Sequence, residues 1–163
     1  YTTLGDQLRQ AEEAGADWFH IDIMDGHFVP NLAMGPTMIA ACRRATDLPL
    51  DVHLMIEKPE RHLEKFAAAG ASNLTVHIEA CPEMEKTQKM IKDLGCKVGI
   101  TLNPATKTDR IKPYLKDADL VLVMDFESAD AVTDMFESDE YRALVPVRDR
   151  GFEEMNILIA QGM

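Results

Sequence analysis

Positive charge, cysteine and long apolar runs are all scarce in this sequence, and each scarcity excludes a class of protein. Seventeen Lys and Arg stand against 28 Asp and Glu, a net charge of −11, and the cations nowhere form a run. Nucleic acid and anionic membrane surfaces are recognised by clustered cations, so neither is an expected partner. The three cysteines, Cys42, Cys81 and Cys96, are odd in number and have no CxxC spacing. That disfavours a disulfide framework or a cysteine-built zinc site. It points to free thiols in a reducing cytosol, where packing is their ordinary role. No apolar run approaches the roughly 20 residues of a membrane span, and the first residues show no signal-peptide pattern. A cytoplasmic location is expected. What is present, 46% apolar and 28% charged residues in a chain of 163, suits one soluble domain with a core of its own.

The stretch Trp18–Asn31, WFHIDIMDGHFVPN, organises the rest. Side chains alternate across a strand, so Phe19, Ile21 and Ile23 share one face while His20, Asp22 and Met24 share the other. Asp25-Gly26 ends the strand as a turn. Before it, Leu4, Leu8 and Ala11 predict a helix over residues 4–14, with Thr3 and Asp6 as a capping box and Gly15 as its stop. After it, the pattern predicts a helix over 37–45, a strand over 50–56 and a helix over 60–69 that starts behind Pro59 and ends at Gly70. A strand over 74–78, a helix over 82–94 stopped by Gly95 and a strand over 98–102 follow. The last predicted elements are a helical stretch over 110–115 that contains Pro113, and a strand over 120–124.

Strand and helix alternate, which is the pattern of a parallel sheet of βαβ units. Ala14-Gly-Ala-Asp before Phe19-His-Ile-Asp is echoed by Ala69-Gly-Ala-Ser before Val76-His-Ile-Glu. One strand face is aliphatic throughout. The other becomes polar toward the strand ends: His20 and Asp22, Asp51 and His53, Thr75, His77 and Glu79, Thr101 and Asn103. A doubly wound sheet buries both faces under helices and should be apolar on both, whereas a barrel carries its helices outside and its active groups at the C-terminal mouth. The pattern favours a barrel. Its mouth would bring together two imidazoles and a carboxylate, from His20, Asp22 and His53. That is a donor set for one divalent ion such as Zn, Fe, Mn or Co, with His77 as a further ligand or a supporting group. The competing reading is histidines that are merely packed and hydrogen-bonded. Met24, Met55 and Met124 end the same strands, either as core packing or as a polarizable, water-excluding rim.

The segments Ala14–Asn31 and Leu50–Pro59 (LDVHLMIEKP) resemble the two sequence signatures of the ribulose-phosphate 3-epimerase family. Ile39–Ala45, Gly99–Ala105 (GITLNPA) and Leu120–Met124 fit in order, so the resemblance covers roughly residues 3–124. It implies a (β/α)8 TIM-barrel type fold that binds a ribulose phosphate. The implied activity is the interconversion of D-ribulose 5-phosphate and D-xylulose 5-phosphate in the pentose phosphate pathway, by metal-assisted two-base proton transfer through an enediolate. It also implies Asp22 as one catalytic carboxylate, His20, Asp22 and His53 as metal ligands that also face the substrate, and Met24, Met55 and Met124 as pocket residues.

The ends of the chain depart from the family pattern. Residues 125–140 hold seven acidic residues, no basic residue and no glycine, where the family carries a glycine-rich phosphate loop. Ala131, Val132, Met135 and Phe136 are spaced as a helix with a solvated acidic face. The nearest match to the turn bearing the second catalytic aspartate is Val145–Phe152. It makes Asp149 the candidate second acid and fourth metal ligand, against the plainer reading of a surface cluster Arg148-Asp149-Arg150. No counterpart of the family's first strand or of its last unit or units is found. The expectation is therefore an incomplete barrel in a single domain over 1–163, family-like over 3–124 and divergent over 125–163. Two other functions fit the same residues: a non-catalytic truncated or chimeric barrel that acts by association with a partner, and a hexulose-phosphate 3-epimerase. A pentulose phosphate is the expected substrate, and a homo-oligomer is one possibility for assembly.

Overall fold

A computed structural model describes residues 2–122. Helix α1 spans Leu4–Glu13, α2 Pro36–Arg43, α3 Leu63–Ala68 and α4 Met84–Asp93. Strand β1 is Phe19–Asp25, β2 Leu32–Ala33, β3 Leu50–Met55, β4 Asn73–His77, β5 Lys97–Thr101 and β6 Leu120–Leu122. The six strands form one sheet in the order β2-β1-β3-β4-β5-β6. Among the described residues only the β1–β2 pair is antiparallel; β1, β3, β4, β5 and β6 run parallel in succession. Sequential parallel neighbours joined by helical crossovers are the βαβ repeat that the alternation predicts.

Three of the helices end in the same way. Gly15, Gly70 and Gly95 have φ of 98°, 107° and 78°. Behind each, the next amide reaches back to close the helix: Ala16 N–H donates to Ala11, Ala71 to Phe66 and Cys96 to Ile91. This is the left-handed stop that satisfies otherwise orphaned carbonyls, and glycine reaches it without steric cost. The echo seen in the sequence is this motif, and the structure carries it a third time at Gly95.

Local departures have local causes. Thr3 makes no side-chain cap bond to α1. The segment behind Pro59 begins as a 3-10 turn, Pro59–Arg61, before α3. The stretch around Pro113 is 3-10 helix over Lys112–Asp117 rather than α-helix, since proline offers no N–H to the α-helical ladder. The short β2 was not predicted. Two residues carry no periodicity, and β2 exists by pairing with Met24 and Asp25.

The helices cover one face of the sheet. Leu8, Ile39, Cys42, Leu63, Phe66, Met84 and Ile91 form one core cluster with Ile21, Ile23, Val52, Leu54, Leu74, Val76, Val98 and Ile100. Val52, Leu54, Leu74, Val76, Val98 and Ile100 are wholly shielded from solvent. Each such side chain contributes about 1.5–3 kcal/mol relative to exposure. The opposite face is polar and yet buried at Asp51, His53, Thr75, His77 and Thr101. One aliphatic face under helices and one polar interior face is the arrangement of a barrel wall.

Candidate active site

The register of the parallel strands places the site. His20 pairs with Asp51, Asp22 with His53 and Met24 with Met55. Parallel strands in register put the C-terminal ends of β1 and β3 side by side, so residues 31 apart in sequence become neighbours.

Asp22 is the meeting point. Its Oδ1 lies 2.8 Å from His53 Nδ1 and 3.2 Å from His20 Nε2. His20 is held from behind, with Nδ1 2.7 Å from Oδ2 of Asp51, a residue only 1% exposed. Thr75 Oγ1 donates to the other oxygen of Asp51 at 2.9 Å. His53 Nε2 lies 2.8 Å from His77 Nε2, and the two rings stack at 5.0 Å. A buried carboxylate is costly unless its oxygens are bonded, and this lattice bonds both oxygens of Asp51.

The electrostatics follow from these contacts. Burial disfavours the His20 imidazolium, but hydrogen bonds to Asp22 and Asp51 and the charge of both carboxylates outweigh it and raise the imidazole to about 9. Hydrogen bonds with His20 and then His53 hold the Asp22 carboxyl well below its ordinary value, against the opposing effect of burial. His77 is pushed down to about 4, first by burial and then by the neighbouring His53, with Glu79 opposing. Burial pushes the Cys81 thiol up to about 12, which leaves it protonated and unsuited to nucleophilic work.

His20, Asp22 and His53 also fit a cation. One ligand atom from each lies within 4.8 Å of the others. Nitrogen and carboxylate donors of this kind suit zinc, iron(II), manganese or cobalt. The nitrogen of His20 that faces away from Asp22 is taken by a buried carboxylate, an arrangement common behind metal-binding imidazoles. His77 stands behind His53 and is not one of the three converging residues. Met24 and Met55 are paired where β1 and β3 end. Met124 and Asp149 lie outside the described residues.

Sequence reasoning did not assign roles to Asp25, Phe28, Asp51 or Glu79. Asp25 ties two loops at the mouth: Oδ1 accepts from the amides of His27 and Phe28 at 2.8 and 2.9 Å, and Oδ2 from Glu57 at 2.8 Å. The loop so fixed carries Phe28 to 4.8 Å from the His77 ring. Asp25-Gly26 was legible as a turn, and an Asx-type acceptor two and three residues ahead of its donors is the signal that could have found it. Asp51 stood among the inward-facing polar positions, but nothing in the sequence says that it supports His20.

A parallel sheet with helices on one face and a metal-fitting cluster at the strand ends defines an α/β protein of the (β/α)8 TIM-barrel type. The chain belongs to the ribulose-phosphate 3-epimerase family, whose model matches residues 1–150. It is 52% identical over 124 residues to ribulose-phosphate 3-epimerase of Bacillus subtilis, covering 76% of this chain and 57% of that protein. It is 47% identical over 126 residues to the chloroplastic ribulose-5-phosphate-3-epimerase of Arabidopsis thaliana, covering 76% and 45%. It is 39% identical over 149 residues to the enzyme of that name from Aquifex aeolicus, covering 90% and 67%. The chain therefore spans only about half to two thirds of these relatives' lengths. Among solved structures, a mandelate oxidase variant is similar over 90% of this chain and 52% of its own, at TM-score 0.56 and 17% identity. That likeness concerns the fold alone. Among the described residues no helix is long and apolar enough to cross a membrane.

Proposed function

We propose that this chain carries the metal-binding half of a ribulose-phosphate 3-epimerase site, which interconverts D-ribulose 5-phosphate and D-xylulose 5-phosphate. The observation that carries the reading is the convergence of His20 Nε2 and His53 Nδ1 on one oxygen of Asp22. Inverting the carbon beside a ketone requires a proton to leave from one face and another to arrive on the opposite face. The C–H bond breaks, its proton passes to a carboxylate, and its electron pair moves toward the carbonyl oxygen to give an enediolate. A bound zinc, iron(II), manganese or cobalt ion would supply Lewis-acid stabilisation of that oxygen's developing charge.

Asp22 is the base on one face. One of its oxygens is engaged by the histidines, and its side chain is 40% exposed, so the carboxylate is open to substrate while the imidazoles fix its position. His20 and His53 are the other metal ligands and border the same substrate face. Met24 and Met55 line the mouth as apolar groups that keep water from the carbanion-like carbon, a role the family resemblance also implies for Met124. Asp149 is the candidate acid for the opposite face and a fourth ligand. The free state of the buried cysteines is consistent with a cytoplasmic protein.

The test is a coupled assay of xylulose 5-phosphate formation in protein loaded with Zn²⁺, Fe²⁺, Mn²⁺ or Co²⁺, run beside Asp22→Asn. General-base catalysis is worth about 10²–10⁴-fold, and a loss of that size is expected. Folded, metal-loaded protein no faster than Asp22→Asn overturns the reading.

A further inference from the structure

Two buried polar atoms beside the site have no hydrogen-bond partner among the described residues: His77 Nδ1 and Glu79 Oε2. They face one another at 3.5 Å. His77 is only 6% exposed, so its ring cannot turn to water for a partner. Glu79 is anchored at its other oxygen, where Asn103 N–H donates to Oε1 at 2.9 Å. Phe28 lies 4.8 Å from the His77 ring on the loop that Asp25 fixes. The catalytic reading above gives neither His77 nor Glu79 a task.

Their geometry sets a direction for the hydrogen bonds. Only one proton lies between His77 Nε2 and His53 Nε2 at 2.8 Å, so one nitrogen donates and the other accepts. A carboxylate oxygen opposite His77 Nδ1 can only accept, which favours the proton on Nδ1 and leaves Nε2 as the acceptor. With His77 accepting, His53 donates from Nε2; its Nδ1 donates to Asp22 Oδ1 at 2.8 Å in the metal-free site, and a cation that replaces that Nδ1 proton finds the ring already held as a ligand. The Nε2–H tautomer is the one a cation ligand needs once that proton has left.

We propose that Glu79 and His77 are positioning residues that select the Nε2–H tautomer of His53 and so prepare Nδ1 for the metal ion. The inference rests on the reading of His20, Asp22 and His53 as a metal centre. His20 obtains the same service directly from Asp51, whose Oδ2 lies 2.7 Å from His20 Nδ1. His53, deeper in the wall, obtains it through a relay of two residues.

The experiment measures Co²⁺ affinity by chelator competition and histidine tautomers by ¹⁵N NMR, in the parent chain and in Glu79→Gln and His77→Leu. Outer-shell partners are worth about 10–100-fold in metal affinity, and both variants should lose that much. In the Zn²⁺-loaded parent, His77 should carry its proton on Nδ1 and His53 on Nε2, and the His53 preference should weaken in Glu79→Gln. Folded variants that bind Co²⁺ as the parent does overturn the relay. So does a Zn²⁺-loaded parent in which His77 is protonated on Nε2, a readout that survives even if the variants fail to fold. Asp22→Asn and His53→Ala separate the two ideas. If these also leave Co²⁺ affinity unchanged, the metal centre falls and the relay with it. If they weaken binding while Glu79→Gln does not, the relay alone falls.

Discussion

His20 Nδ1 lies 2.7 Å from Asp51 Oδ2, across two parallel strands and behind the ring edge that faces Asp22. The contact fixes which nitrogen of His20 is turned toward the site. It also accounts for a carboxylate that is 1% exposed on the interior face of the sheet.

Replacing that carboxylate tests its role. Asp51→Asn keeps the size and the bond from Thr75, but its amide no longer presents two equivalent acceptors to His20 and Thr75. Divalent-metal affinity should fall about 10–100-fold, as for other partners of metal-binding histidines. Chelator competition in folded protein is the measurement, and an affinity within twofold of the parent would dismiss Asp51 as a support of the site.

Gly99 tests the packing beneath the site. A Cβ built there would come within 2.0 Å of Thr75 Oγ1 and 2.9 Å of the Thr75 backbone Cα. The second contact cannot be relieved by a side-chain rotation, so Gly99→Ala must push β5 from β4 and disturb the Thr75 bond to Asp51. Overpacking of this kind costs about 1–3 kcal/mol. Urea unfolding should show a loss of that order, together with weaker metal binding; a midpoint equal to the parent's would mean that the strands separate without cost.

Asp25 gives a pH dependence with a definite sign. Partial burial raises its carboxyl, but amide donation from Glu57, His27 and Phe28 outweighs this and lowers it below the ordinary 3.8. A group lowered in the folded state stabilises the fold above the unfolded value and loses that contribution as pH falls toward the folded one. The parent should therefore exceed Asp25→Asn in stability at pH 6–7, with the gap closing as pH drops below about 4. Unfolding midpoints across pH 3–7 provide the check. A gap independent of pH would show that the carboxylate's charge does not hold the two loops.

The site was legible in part because strands have a strict period. In HIDIM, alternation alone assigns His20, Asp22 and Met24 to one face and Ile21 and Ile23 to the other, and the core contains Ile21 and Ile23. Helix stops were legible at Gly15, Gly70 and Gly95, since the left-handed conformation there is a local requirement. The same locality explains the misses. Thr3 and Asp6 have capping-box residue types, yet no cap bond forms at Thr3. Residues Leu32–Ala33 carry no pattern and become a strand only because the end of β1 is there to pair with.

By itself the sequence determined the alternation of strands and helices, the aliphatic and polar faces, and the residues offered to a cation, because each depends on neighbours a few positions away. Tertiary structure alone decided which of those polar residues touch. His53 meets Asp22 through the β1–β3 register, and Thr75 reaches Asp51 across 24 positions of sequence. His77 takes its place behind His53 rather than beside Asp22 for the same reason. Partners and proton positions in a buried network depend on distances between strands. Those distances are set when the helices bury the aliphatic face and bring the strands into register.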